Sequence, residues 1–285
     1  MLQRSRSSVF IVIIGIVPAL LGGPVFAAVF AAVMIASYYE FIAMCGIGET
    51  QAARIGYLSL LFFASVALLS DNPATFHGAL AFAIFAPLVS SLVEPVDANR
   101  LSEWALAIGV TMMFGVPTYA AINLRGSEGL SSQSWINDIA DVVNPDNTLT
   151  GIGLSWFLFT LLVIWVTDTF AYLIGKQIGR TKLIPHISPN KTVEGAIGGL
   201  TAAAVTGGLC VSLFGMDIGV AAGFGLGAAV AIAGMIGDLI QSMIKRQVGV
   251  KDSGSLIPGH GGVYDRVDGL ILGLLVVWIA SSLIG

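Results

Sequence analysis

Charge is what this sequence has least of. Asp, Glu, Lys and Arg make up 11% of its 285 residues, against about 25% in a typical soluble domain. Hydrophobic residues make up 56% and mean hydropathy is +0.89, which points to an integral membrane protein. The length leaves room for about nine spans of roughly 20 residues with short loops. No polar stretch is long enough for a separate soluble domain, and no internal repeat is apparent. Cysteine is almost missing: Cys45 and Cys210 lie far apart in apolar segments, which excludes a disulfide framework and a thiolate metal site. Both read as small core residues. Histidine is nearly absent too, and His77, His186 and His260 have no partner at zinc-ligand spacing. Neither a Walker phosphate loop nor a Ser–His–Asp or Cys–His arrangement is present.

What the chain has instead is nine apolar segments. They fall near 8–21, 24–45, 54–70, 74–92, 102–123, 152–175, 194–214, 218–244 and 267–284, with breaks at Gly22-Gly23-Pro24, Asp71-Asn72-Pro73, Glu94-Pro95 and the polar stretch 124–151. The N-terminus, with Arg4 and Arg6, reads as an uncleaved first span rather than a signal peptide. Nine spans put every basic residue except Arg125, of 13 in all, on one side. By the positive-inside rule that side is cytoplasmic, so the N-terminus is expected inside and the C-terminus outside. The expected organisation is an all-α polytopic protein in two regions. Residues 1–150 carry about five spans, and 151–285 carry about four, with cytoplasmic loops 176–193 and 245–266. The outer connection holds Glu128, Asp138, Asp141 and Asp146 and reads as a solvated loop with a short amphipathic helix around Trp135 to Val143. Glycines at four-residue spacing (Gly175/Gly179, Gly195/Gly199, Gly219/Gly223/Gly227) predict close helix packing within the bundle.

Against this apolar background the polar groups stand out. Residues 242–268 gather four basic residues, three acids and His260. Anchoring at a membrane face needs Lys and Arg, but not Asp252, Asp265 and Asp268 interleaved with them. Gly259, Gly261 and Gly262 around His260 let backbone approach a phosphate. Asp168 and Asp238 fall inside predicted spans, where a carboxylate costs ~2.5–3.5 kcal/mol on insertion scales and marks function by default. Asp238, Ser242, Lys245 and Arg246 recur at helical spacing, so one stripe descends from cations to a buried acid. Ser188-Pro189-Asn190-Lys191-Thr192-Val193-Glu194 supplies capping residues just before an apolar span, and a helix N-terminus offers free N–H groups to an anion. Carboxylates with phosphates are the hard oxygen set that suits Mg²⁺. Together these features predict a membrane enzyme with a cytoplasmic phosphate site. One substrate would be a water-soluble phosphate compound and the other a lipid.

The run Ser242-x-x-Lys245-Arg246-x4-Lys251-Asp252-x5-Pro258-x-His260-Gly261-Gly262-x-x-Asp265-Arg266-x-Asp268 resembles the family pattern of phosphatidate cytidylyltransferases (CDP-diacylglycerol synthases) throughout. Gly237-Asp238 and Ser188-Pro-Asn-Lys191-Thr-x-Glu194-Gly195 look like the same family. The resemblance is specific over about 165–268. It implies that CTP and phosphatidic acid give CDP-diacylglycerol and pyrophosphate, as a step of phospholipid biosynthesis. It also implies Mg²⁺, admits a monovalent cation such as K⁺ beside it, and implies a homodimer; the expected location is the cell inner (plasma) membrane, with the active site facing the cytoplasm. No nucleic-acid partner is expected. By this resemblance Asp238 and Asp265 are the metal carboxylates; Asp168 and Asp252 are either outer ligands or groups that orient the lysines. Lys245, Arg246, Lys251, Asp252, His260 and Arg266 form the catalytic group, and Lys182, Ser188, Asn190, Lys191 and Ser242 hold substrate.

Three rivals make different demands. A CTP-dependent polyprenol kinase would need a base beside a hydroxyl. A CDP-alcohol phosphotransferase would carry a denser aspartate run, of which Asp268-Gly269 is only a fragment. An ion-coupled transporter would show broken helices in both halves, whereas here the charges crowd into the C-terminal half.

Overall fold

The computed structural model describes residues 13–70, 72–93, 99–143, 151–257 and 261–284, with backbone only at 141–143. Among the described residues there are ten α-helices. α1 is described over 13–21. It is followed by α2 (Gly23–Met44), α3 (Gln51–Leu69), α4 (Pro73–Ser90), α5 (Arg100–Arg125), α6 (Ser134–Val143), α7 (Gly151–Ile178), α8 (Val193–Leu213), α9 (Val220–Gln247) and α10 (Tyr264–Ile284). Among the described residues, eight helices are long and apolar enough to cross a membrane: α2 to α5 and α7 to α10. Each coincides with an expected segment to within about one turn. The first expected segment begins outside the described residues.

Local sequence explains the boundaries. Thr50 caps α3, its side chain accepting from Ala53 N at 3.2 Å, and Asn72 caps α4 by accepting from Ala74 N at 2.9 Å. Pro73 opens α4, where its missing N–H costs nothing. The acidic connection does contain the expected short helix, α6. Its N-terminal side is tied down by Ser131, whose hydroxyl donates to Phe214 O at 2.7 Å, and by Asn137, which donates to Ser131 O at 2.8 Å.

One feature departs from the expected helices and loops. Lys182–Ile184 (β1) and Ser188–Thr192 (β2) pair as an antiparallel hairpin, with Lys182 opposite Thr192 and Ile184 opposite Ser188. The expected capping run is thus mostly strand, and only Thr192 caps α8, accepting from Gly195 N at 3.2 Å. Polar residues without apolar alternation hide a strand from periodicity, and Pro189 argues against one. In a two-stranded sheet both strands are edges, so Pro189 is tolerated. Glu194 secures the hairpin base by accepting from Arg180 N at 3.1 Å and Thr181 N at 3.1 Å.

The chain forms two compact units. One comprises 13–18, Gly23–Asn123 and Asp252–Val267; the other comprises Ala19–Gly22, Leu124–Lys251 and the chain from Asp268. The first unit is centred on aromatic side chains. Phe114 packs edge-on against Tyr38, Phe41 and Tyr264, with centroids 6.3, 6.1 and 5.3 Å away. Tyr38 is fully buried and donates its hydroxyl to Ala53 O at 2.9 Å.

The second unit is built on glycine. A Cβ on Gly195 would stand 2.6 Å from Ala171 O, and one on Gly199 would stand 2.8 Å from Thr167 O, so α7 and α8 touch backbone to backbone. Gly207, Gly223 and Gly227 do the same for α8 and α9. These small-residue seams are internal, as the spacing predicted. Arg125, the lone basic residue expected on the outer side, is buried in this unit. Its Nε donates to Ala19 O at 2.6 Å, at the end of α1, where Gly22 turns the chain with φ +63°. An arginine bonding the last carbonyls of a helix satisfies groups that have no partner within the helix.

Candidate functional site

Within the second unit, three helices bring carboxylates to one place. Asp168 comes from α7, Asp238 from α9 and Asp268 from α10, and each acts electrostatically on another of the three. Two lysines oppose them. Lys191, on β2, forms an ion pair with Asp238, and its charge also reaches Asp168. Lys245, on α9, acts on Asp268. Ser242 donates to Asp238 Oδ1 at 3.4 Å, a long bond that holds the register of the polar stripe. The descending stripe Asp238, Ser242, Lys245, Arg246 therefore lies on one continuous helix, as read from its spacing.

Backbone packing brings two of these helices together. A Cβ on Gly237 would lie 2.5 Å from Asp268 O. Gly234 packs against the Gly269 backbone in the same way, more loosely. Glycine before Asp238 thus lets α9 and α10 approach until their carboxylates interact.

The hairpin supplies Lys191 by alternation. Successive strand residues face opposite sides, so Lys191 turns one way while Ser188, Asn190 and Thr192 turn the other. Thr192 is buried in the α7–α8 seam, against Gly175 and Gly195. Asn190 and Lys182 are exposed, and Ser188 is half-buried. Arg246 reaches the hairpin turn, with Nε donating to Ile187 O at 3.4 Å and Nη1 donating to Val250 O at 3.3 Å. It fastens the turn to the end of α9 while staying exposed. Lys251, at the end of this unit, is exposed as well.

The first unit holds the remaining expected residues. Asp265 Oδ2 accepts from Ser253 N at 3.0 Å and from Gly262 N at 3.1 Å, closing the segment Asp252–Val267 on itself. Gly261 has φ +84°, and a Cβ there would lie 3.0 Å from Asp265 Oδ2, so the turn requires glycine. Asp252 and Arg266 are exposed. His260 lies outside the described residues. Among the described residues, no group of three or more His, Cys, Asp or Glu side chains is placed to hold a metal ion together. Mg²⁺ commonly takes one or two protein carboxylates and fills its remaining positions with water and substrate phosphate. The carboxylates beside Asp238, with no sulfur or imidazole among them, fit that demand.

A family model for cytidylyltransferases matches residues 2–284. The chain belongs to the cytidylyltransferase family. Over 134 residues it is 46% identical to a phosphatidate cytidylyltransferase of Brucella melitensis, covering 46% of this chain and 48% of that protein. Over 132 residues it is 42% identical to a phosphatidate cytidylyltransferase of Staphylococcus aureus, covering 46% of this chain and 51% of that one. The chain thus spans about half the length of the curated relatives it matches.

Two residues of this cytidylyltransferase-family chain were under-read from sequence. Asp268 stood out as an acid at the start of a span, but not as a neighbour of Asp168 and Asp238; only the α9–α10 contact shows that. Glu40 was missed outright. It is 3% exposed, and its Oε2 accepts from Ser253 Oγ at 3.0 Å and from Tyr264 N at 3.0 Å. The available signal was a lone acid in the otherwise apolar span 24–45, which the cost of intramembrane charge marks as functional.

Proposed function

We propose that this chain is a phosphatidate cytidylyltransferase that converts CTP and phosphatidic acid to CDP-diacylglycerol and pyrophosphate at the cytoplasmic face of a membrane. The observation that carries the reading is the cluster of Asp168, Asp238 and Asp268 opposed by Lys191 and Lys245, in a family member built mostly of membrane-spanning helices. Such a cluster suits a substrate with several phosphates, because cationic side chains take the phosphate oxygens while carboxylates favour a divalent ion that neutralises the rest.

In the reaction, an oxygen of the phosphatidate phosphate attacks the α-phosphorus of CTP. The bond from that phosphorus to the bridging oxygen breaks, and pyrophosphate leaves with the electron pair. A phosphate monoester has its second pKa near ~6, so the attacking oxygen is already deprotonated and no general base is required. That agrees with a site whose side chains are cations, carboxylates and hydroxyls. Lys191 and Lys245 neutralise the phosphates and align them, and Ser242 donates a long hydrogen bond to the Asp238 carboxylate. Bound Mg²⁺, held by Asp238 with Asp168 or Asp268 beside it, would stabilise charge on the attacking and leaving oxygens. The family resemblance also implies Asp265 as a metal carboxylate, a monovalent cation such as K⁺, and a homodimer. The nine-span reading gathers 12 basic residues on one side, which supports a cytoplasmic site, with the N-terminus inside and the C-terminus outside.

The test is direct. Purified protein in detergent is given labelled CTP, phosphatidic acid and Mg²⁺, and lipid-bound cytidine is counted. Label in the lipid, with pyrophosphate released in equal amount, is expected. Absence of lipid-bound cytidine from folded protein would end this reading. Transfer of phosphate alone to a lipid alcohol would replace it with a kinase.

A further inference from the structure

Glu40 is a buried acid that the reaction above does not use. It lies on α2, 213 residues before Ser253 and 224 before Tyr264. Both contacts fall in the segment Asp252–Val267 of its own compact unit. One oxygen, Oε2, receives both hydrogen bonds; the other, Oε1, is buried without a partner. A carboxylate oxygen buried unsatisfied costs free energy, a cost set against the two hydrogen bonds that Oε2 accepts.

The surroundings show what the carboxylate does. Ser253 is buried and bonds two acids: its hydroxyl donates to Glu40 Oε2 and its N–H donates to Asp265 Oδ2, each at 3.0 Å. Tyr264, immediately before Asp265, donates its N–H to Glu40 and is itself fully buried against Phe41 and Phe114. Glu40 therefore grips the residue that bonds Asp265 and the residue that precedes it. Gly254 and Gly262 leave the necessary room, since a Cβ on either would collide with the Glu40 carboxylate.

We propose that Glu40 is a positioning residue, acting through Ser253 and Tyr264 to fix the orientation of the Asp265 carboxylate. For its activity arm the proposal rests on the cytidylyltransferase reading and on Asp265 as a metal carboxylate within it. Partners that orient a ligating carboxylate matter by roughly 10- to 100-fold in metal affinity or activity. Glu40→Ala removes the acceptor. Glu40→Gln keeps an oxygen that can accept from both donors, and Ser253→Ala removes only the hydroxyl.

The experiment uses the full chain in detergent and measures two things: the Mg²⁺ concentration for half-maximal cytidylyl transfer, and amide exchange across Asp252–Val267. For Glu40→Ala and Ser253→Ala the half-maximal Mg²⁺ concentration is expected to rise roughly 10- to 100-fold, with rate recovered at high Mg²⁺ and faster exchange at Ser253 and Gly262. Glu40→Gln is expected to stay near wild type in both. Wild-type exchange and Mg²⁺ dependence in Ser253→Ala and Glu40→Ala would overturn the proposal. So would Glu40→Gln losing activity as completely as Glu40→Ala while exchange stays at the wild-type rate. If Glu40→Ala does not fold, Ser253→Ala and Glu40→Gln decide the matter. If the wild-type chain transfers no cytidine, the reaction reading fails, and the exchange arm still decides the role of Glu40.

Discussion

Asp238 and Lys191 form an ion pair whose members are each about one-third exposed (34% and 27%). Pairs of this kind stabilise a fold by about 0–1 kcal/mol, too little to explain a large loss of activity through unfolding. Lys191→Met and Asp238→Asn are therefore expected to leave the unfolding midpoint in detergent nearly unchanged while reducing turnover by roughly 10²–10³-fold, the cost of removing one preorganised charge-stabilising group. Turnover near wild type in either variant would remove that residue from the site. Arg125 makes the opposite case. It donates to Ala19 O, with a longer bond to Leu20 O at 3.4 Å, and lies apart from the carboxylate cluster's lysines in role. Arg125→Met should lower stability by about 1–3 kcal/mol, the cost of buried carbonyls losing their donor. Cytidylyl transfer by the folded fraction should be retained. That Arg125 was an exception could be seen in the sequence; its partners, 105 and 106 residues away, could not.

Among the elements, the helices were readable and their contacts were not. Apolar length marks a span because an unpaired backbone in lipid is prohibitive, so each boundary followed from hydropathy, Pro73 and the Asn and Thr caps. The hairpin β1–β2 escaped because nothing in five polar residues alternates, and it is the hairpin that delivers Lys191 to Asp238. The glycine spacings predicted close packing, yet which helices meet was open. Gly237 carries a sharp test of one such meeting. Gly237→Val places a branched side chain against the Asp268 carbonyl, with Cβ 2.5 Å from the oxygen. Pushing α9 from α10 should cost about 1–3 kcal/mol of stability and lower turnover further by separating Asp238 from Asp268. Gly225, whose Cβ would meet nothing within 4 Å, provides the control: Gly225→Ala on the same helix should be nearly silent in both measurements.

For the whole molecule, the proposed orientation in the membrane rests on charge. Cysteines introduced singly at His186 and Asp138, both exposed, in a background of Cys45→Ser and Cys210→Ala test it. In intact cells an impermeant maleimide is expected to label Asp138→Cys at once and His186→Cys only after the membrane is opened. The reverse order would invert the topology. The native Cys45 is a poor probe for this purpose, since burial pushes its thiol up from the ordinary value and leaves little reactive thiolate near neutral pH.

Composition and hydropathy alone determined that this chain spans a membrane many times, because lipid admits only long apolar helices with their backbone bonds closed. The charged run 242–268 pointed to the class of chemistry, because anchoring at a membrane face accounts for Lys and Arg but not for the Asp252, Asp265 and Asp268 interleaved with them. The tertiary structure alone decided the company each acid keeps. Asp238 and Asp268 approach because a glycine seam lets α9 and α10 touch, and Asp168 comes within electrostatic reach of both from α7. Glu40 meets Ser253 and Tyr264 because α2 and Asp252–Val267 pack in one unit across more than 200 residues of chain. Hydropathy is a property of each segment by itself, whereas contact between segments depends on the shapes of two surfaces at once.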